Sequence, residues 1–297
     1  MLLESLLVRI ELSGGIKVNL YVIGNGFDID HGIPSSYTDF KKFLVDSEDN
    51  NAKALLDIIE ISYRKKDSML WKDLEKNIGE LDLDYSMGKG GTYIIKTIMF
   101  TENFSYLFKE WVNYLREFEI IKVSTKKDLK QLFNENKDVF FSFNYTPTLE
   151  KIYNINKDNI KYIHVVKNGE SYEFGHEKIG KINEIGHESF GVRNFSRQQL
   201  SKDTSKIYDN NRSWFEELSQ KNIENIYFYG FSFANIDLIY IKGILNNVNK
   251  NKLKNIYLYS YKNQKENDYE EQKCILNSLI DEAELSINVE KFQLQEE

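Results

Sequence analysis

The stretch Val18–Asp28 reads VNLYVIGNGFD, in which apolar, β-branched and aromatic residues from Val18 to Ile23 stop abruptly at Gly24, Asn25 and Gly26. Such a run closed by glycines reads as a buried strand entering a tight turn. Tyr37–Val45 then shows helical spacing, so the segment predicts a strand-turn-helix unit. Similar apolar runs recur at Val139–Phe143, Ile160–Val165, Ile226–Tyr229 and Ile256–Tyr259, with a sixth at Ile287–Phe292. Helical patterns lie between them at Thr146–Tyr153, Phe195–Gln220, Ile236–Val248 and Tyr269–Leu285. Strands alternating with helices need crossover connections, which place helices on the faces of a mainly parallel sheet. The expected fold class is α/β, with a Rossmann-like sheet.

Residues 49–135 break this alternation. Ala52–Arg64, Met69–Ile78, Thr92–Phe118 and Lys126–Phe133 all read as helix, with no strand among them. They are expected to form an inserted helical subdomain, which leaves 17–48 and 136–297 as the Rossmann-like domain. Leu3, Leu6, Leu7 and Ile10 fall at helical spacing before Ser13, Gly14 and Gly15, so residues 1–16 read as an N-terminal extension with a short amphipathic helix.

Composition narrows the function. The 297 residues are 41% hydrophobic and 29% charged, ordinary globular usage that excludes a wholly disordered or collagen-like chain. The 39 basic against 46 acidic side chains give a net charge of −7, which disfavours a surface that coats nucleic acid. The single cysteine, Cys274, can supply neither an internal disulfide nor a cysteine cage for zinc. No apolar stretch approaches the ~20 residues that span a bilayer, and Glu4, Arg9 and Glu11 interrupt any leader-like core. A cytoplasmic protein with no membrane contact is expected.

In open α/β sheets ligands bind beyond the carboxyl ends of the strands, so the residues after each apolar run carry the functional reading. The first run ends in Gly24-Asn25-Gly26-Phe27-Asp28, the second in Phe143-Asn144-Tyr145-Thr146, the third holds His164, and the fourth ends in Tyr229-Gly230-Phe231-Ser232 followed by Asp237. Gly24 and Gly26 suit a tight turn whose amides approach a pyrophosphate, but Ile29 stands where a third glycine of a dinucleotide fingerprint belongs. No acidic residue closes a second strand about 20 residues on, which disfavours a hydride-transfer enzyme. Asn144 also suits a helix cap. Period-2 alternation puts Ile160, Tyr162 and His164 on one strand face, where a buried structural histidine is the ordinary explanation. His176 and His187 each follow a glycine in predicted loops, and no metal-binding spacing occurs, so no metal is expected. In WKDLE, Trp71 and Glu75 share a helix face, and Arg193, Arg197 and Arg212 read either as surface ion pairs or as phosphate contacts.

Leu20–Phe40, LYVIGNGFDIDHGIPSSYTDF, resembles the opening motif of the bacterial AbiH abortive-infection family. WKDLE (Trp71–Glu75), FNYTPTLE (Phe143–Glu150), the His164 strand, FGHE (Phe174–Glu177) and YGFSFANID (Tyr229–Asp237) look like its later blocks in the same order. One departure is Val165, where the family usually places glycine after the histidine. The family is similar in turn to the sirtuin-like NAD-binding fold, although one cysteine cannot build the zinc module of a sirtuin deacylase. The resemblance therefore implies phage defence through NAD chemistry other than deacylation, since anti-phage proteins with related domains destroy NAD in infected cells.

On that reading NAD⁺ is the substrate, and scission of its nicotinamide bond passes through a ribosyl oxocarbenium ion. Asn144 would orient the ribose or water, His164 or alternatively His176 would accept a proton, and Asp28 would stabilise the developing positive charge. Gly24, Asn25, Gly26 and Phe27 would hold the nucleotide from one side, with Gly230, Ser232 and Asp237 on the other. A homo-oligomer or a defence-system partner protein is compatible with this function. The competing reading is a sensor or partner module that binds a nucleotide without cleaving it. A nuclease is disfavoured, because neither a carboxylate cluster for two metals nor a basic aromatic stripe is present.

Overall fold

The computed structural model describes residues 17–63, 67–87, 93–117, 123–166, 171–177, 199–262 and 264–294. The helix expected at Leu3–Ile10, His187, Arg193 and Arg197 lie outside the described residues. The chain divides into two compact units, the first built from Met1–His31, Ile121–Ile163 and Ser205–Glu297, the second from Gly32–Ile120 and His164–Thr204.

The first unit holds the main sheet. Its strands are β1 (Val18–Ile23), β2 (Val139–Ser142), β3 (Ile160–Tyr162), β4 (Ile223–Tyr229), β5 (Asn255–Tyr259) and β6 (Val289–Phe292). They lie in the order β6-β5-β4-β1-β2-β3, and every neighbouring pair is parallel. The chain thus builds outward from β1 through β2 and β3, then returns to the other side of β1 for β4, β5 and β6. The arrangement is α/β and Rossmann-like, with the reversal of strand order between β1 and β4.

Alternation along the strands sorts side chains onto two faces. Leu20, Val22, Phe141, Ile226, Phe228, Ile256 and Leu258 share a fully enclosed core with Phe215, Leu218, Ile241, Ile244, Leu276 and Ile280 from the helical segments. The other face carries an aromatic row in register across four strands: Phe140 stacks on Tyr21 at 5.0 Å, Tyr21 on Tyr227 at 4.9 Å, and Tyr227 on Tyr257 at 4.6 Å. Cross-strand aromatic pairs of this kind fix register, because a slip by one residue would send every ring to the opposite face. At the end where β1 begins, Asn255 Nδ2 donates to Asn225 Oδ1 and Asn225 Nδ2 donates to Asn19 Oδ1, both at 2.8 Å, an amide ladder across β5, β4 and β1.

Two local expectations are corrected. The third apolar run does not continue to Val165, because β3 ends at Tyr162 and Val165–Val166 pairs antiparallel with Ser171–Tyr172 in the second unit. Ile163 and His164 form a bend after the strand, and His164 O accepts from Glu173 N–H at 2.8 Å within the second unit. Asn144 is not a helix cap either. The helix begins at Thr148 behind Pro147, whose missing N–H is no loss at a helix start.

The second unit is mainly helical. Tyr37–Asp46 starts at a capping box in which Ser36 Oγ accepts from Asp39 N–H at 3.2 Å and Asp39 Oδ2 accepts from Ser36 N–H at 3.0 Å. Asp49 caps Asn50–Ser62, and Asp73 caps Leu74–Ile78 by accepting from Lys76 N–H at 3.2 Å. The long helix Tyr93–Glu117 supplies Phe104, Phe108 and Trp111, whose rings lie 6.0, 5.7 and 5.1 Å from that of Phe40. Trp71 joins the same cluster, 6.4 Å from Phe40, so in WKDLE the tryptophan packs and the aspartate caps.

Phe141 is fully buried between Phe143, Trp214 and Phe215 at 5.2, 5.0 and 5.6 Å. Phe141→Ala should therefore lower the unfolding free energy by ~3–5 kcal/mol. Chemical denaturation of the purified chain checks this value, and a loss within ±0.5 kcal/mol, typical of surface changes, would contradict the packing described.

Candidate functional site

The ends of β1 and β4 are locked together by backbone. Gly24 N–H donates to Tyr229 O and Gly26 N–H to Gly230 O, both at 2.9 Å. A Cβ on Gly24 would lie 2.4 Å from Gly230 O, and one on Gly26 would lie 2.2 Å from Tyr261 Oη. Gly230 has φ +68°, and its Cβ would lie 2.2 Å from Phe27 N, so this position excludes any side chain on two counts. The glycines that suggested a pyrophosphate cradle are thus accounted for by close approach of two loops, and their amides are engaged there. Phe27 is buried, 5.1 Å from Tyr229 in an edge-to-face pair, and serves packing.

Beside the lock, the chain displays polar side chains. Asn25 and Ser232 are exposed. Ser232 stands between two buried rings, Phe231 at 4.5 Å from Phe143 and Phe233 at 5.5 Å from Phe228, and Phe233 holds φ +57°. A left-handed phenylalanine costs roughly 1–3 kcal/mol of strain, which burial of its ring offsets while Ser232 is pushed outward. Asp237 is buried just before the helix Leu238–Asn247.

Asp28 is enclosed, 1% exposed, at the centre of a hydroxyl and amide cluster. Thr146 Oγ1 donates to Oδ2 and Thr148 Oγ1 to Oδ1 at 2.8 Å, and the Asn144 side chain donates as well. Burial pushes the Asp28 carboxyl up to about 6, with the donations from Thr146, Thr148 and Asn144 acting in the opposite direction. The ionised carboxylate only accepts, so above about pH 6 the Asn144 amide nitrogen faces Asp28 and its Oδ1 faces away. That oxygen is buried and has no hydrogen-bond partner. The Tyr261 hydroxyl, packed against Gly26, is a second buried polar atom without a partner, and burial followed by the nearby Asp30 charge keeps it protonated. Buried polar atoms left unpaired are uncommon because each forfeits its hydration.

Sequence reasoning passed over two neighbours of Asp28. Asp30 Oδ2 accepts from Lys126 Nζ at 2.5 Å, from Tyr229 and from Tyr259 at 3.4 Å. His31 Nδ1 lies 2.6 Å from Phe27 O, which only accepts, so the ring proton is on Nδ1 and Nε2 accepts from Tyr153 at 2.6 Å. Burial lowers the His31 pKa, consistent with a neutral ring. The helical signature Asn25–Asp30 with His31 is therefore tied through Asp28, Asp30 and His31 to the last residues of β4 and β5 and to the segments before and after β2.

The remaining candidates belong to the second unit. His164 is buried, its Nε2 3.3 Å from Lys202 Nζ, which also lies 3.5 Å from Glu75 Oε1. Lys202 has a side chain that is 0% exposed, and sequence reasoning did not single it out. His176 is not in a loose loop: it is buried in a two-residue strand paired with Ser201, its Nδ1 is 2.7 Å from Glu177 O, and a Cβ on Gly79 would meet its ring at 2.8 Å. Of the three arginines, Arg212 is exposed and pairs with Asp209 at 2.5 Å, the surface ion-pair reading. Among the described residues no three His, Cys, Asp or Glu side chains gather as a metal site, and no helix is long and apolar enough to cross a membrane.

The Asp28 environment carries a pH signature. A carboxyl raised from its ordinary range to about 6 binds its proton more tightly in the folded chain than in the unfolded one. Between about pH 4 and pH 6 the folded state holds a proton that the unfolded state has released, so this group stabilises the fold progressively as pH falls through that window. Relative to Asp28→Asn, the wild type should gain up to ~3 kcal/mol between pH 7 and pH 4. Paired urea titrations across that range measure the difference, and a wild-type curve parallel to that of the variant would refute the burial of an ionisable group here.

No curated protein and no solved structure matched the chain. Residues 20–261, from the start of the β1 core to Tyr261, match the family described as bacteriophage abortive infection AbiH, and the chain belongs to that family.

Proposed function

We propose that this chain acts in phage abortive infection by hydrolysing NAD⁺ or a close relative, with Asn144 at the scissile ribose. The observation that carries the reading is Asn144 Oδ1, a buried acceptor with no partner, held by an amide whose nitrogen faces Asp28. A ribose hydroxyl or a water poised for attack is the kind of donor such an oxygen lacks. Strand order supports the ligand class, since parallel sheets whose strand order reverses between a first and a fourth strand commonly bind dinucleotides at that end. Gly24 and Gly26 amides do not serve the pyrophosphate in this proposal, because both are bonded to the β4 loop. Asn25 and Ser232, exposed on either side of the lock, are the polar groups offered in their place.

The chemistry is balanced by the substrate itself. When the C1′–N bond of NAD⁺ breaks, its electron pair neutralises the pyridinium, and nicotinamide leaves without needing a proton. Water then adds to C1′ of the oxocarbenium ion and releases one proton to bulk solvent, which yields ADP-ribose. What the protein must supply is orientation and negative potential where positive charge develops. Asn144 supplies orientation, and Asp28, ionised above about pH 6, supplies the potential while its hydrogen bonds keep it from attacking C1′.

Incubating the full chain with NAD⁺ and quantifying nicotinamide and ADP-ribose tests the proposal. The wild type should release both, and Asn144→Ala should lose ~10²–10⁴ in rate while NAD⁺ still raises its melting temperature. A thermal shift with no nicotinamide from the wild type would favour the sensor reading instead. Neither shift nor product at millimolar NAD⁺ would remove the nucleotide from the function.

A further inference from the structure

The cluster Glu75, Lys202 and His164 in the second unit lies outside the proposal above and does not depend on it. Lys202 is enclosed, its ammonium reached by the Glu75 carboxylate at 3.5 Å and by His164 Nε2 at 3.3 Å. An ammonium has three N–H donors and no acceptor, so contact with Nε2 requires the imidazole to accept. A neutral imidazole that accepts at Nε2 carries its hydrogen on Nδ1.

The alternative arrangement places the shared proton on His164 and leaves Lys202 a neutral amine. The Glu75 carboxylate opposes it, since an anion within ion-pair distance of Lys202 favours the ammonium form. Protonating both groups would set two cations 3.3 Å apart in an enclosed site, with the Glu75 carboxylate 3.5 Å from the lysine to offset them.

We infer that Lys202 is a positioning residue that holds His164 in the neutral Nδ1–H tautomer. The expectation that His164 accepts a proton as a general base changes accordingly. Its Nε2 lone pair is already engaged by an ammonium, and proton uptake there would require Lys202 to turn away or to deprotonate.

Long-range proton-nitrogen correlation spectra of the full chain, labelled at histidine, read the tautomer directly. His164→Gln assigns the His164 ring signals. At pH 7 the wild type should show a protonated Nδ1 and a bare Nε2 for His164, and Lys202→Arg, which also can only donate, should preserve that pattern where it folds. Lys202→Met should shift the ring to Nε2–H or to imidazolium. A wild-type ring that carries its proton on Nε2, or on both nitrogens, would overturn the inference whether or not any variant folds. An unchanged tautomer in folded Lys202→Met would remove Lys202 from the role. Spectra of the ligand-free chain decide these outcomes, so the result stands apart from whether NAD⁺ is cleaved.

Discussion

Two backbone hydrogen bonds, from Gly24 N–H to Tyr229 O and from Gly26 N–H to Gly230 O, set the geometry on which the carboxyl end of the sheet depends. They continue the β1 and β4 pairing past the last residues of the strands, where loops would ordinarily diverge. Three positions without a Cβ are the condition for this approach, and at Gly230 the backbone is also left-handed. Once the loops are joined, their next residues are displayed at a fixed height: Asn25 and Phe27 from one, Phe231, Ser232 and Phe233 from the other. A single methyl at any of the three glycines would meet backbone or a buried phenol within 2.4 Å. The constraint is therefore architectural first, and any ligand contact at this edge inherits its precision from it.

The polar residues after the glycines extend the same logic. Asp28 reaches toward Thr146 and Thr148, Asp30 toward Lys126, Tyr229 and Tyr259, and His31 toward Tyr153. A short helix of Asn25–Asp30 has little stability of its own, and these side-chain bonds anchor it to segments far away in sequence. Most of the signature that marks the family thus builds the scaffold. Asn144 differs from the rest because only half of its amide is used by the scaffold, and an acceptor remains.

The strands were legible because short β-branched and aromatic runs closed by polar residues have few other uses, and β1 matches its run from Val18 to Ile23 without adjustment. The third run misled because Ile160–Val165 is continuous in composition, whereas the sheet ends at Tyr162 and a different pairing takes Val165 and Val166. Nothing in hydrophobicity distinguishes one strand from two strands meeting at a bend. The glycine loop was legible as a tight turn, but its physical reason lay more than 200 positions away, in Gly230, and local sequence does not reveal which backbone will approach. Lys202 was invisible for a simpler reason. One lysine in a lysine-rich chain carries no mark, and its partners Glu75 and His164 stand 127 and 38 positions away.

Hydrogen-bond inventory does more than proximity to assign roles to the buried side chains. The ionised Asp28 carboxylate and the Phe27 carbonyl only accept, and a lysine ammonium only donates, so each dictates the orientation or tautomer of the group beside it. The rule turns the Asn144 amide so that its oxygen is presented, gives His31 an Nδ1 proton, and makes His164 Nε2 an acceptor. His31 uses both ring nitrogens in closed contacts with Phe27 and Tyr153 and so reads as structure. His164 has Nε2 taken by Lys202, which leaves proton acceptance the least accessible of its possible tasks. Asn144 combines burial, an enforced orientation and an unpaired acceptor, and that combination, rather than residue type, is what the proposed role of Asn144 at this end of the sheet rests on.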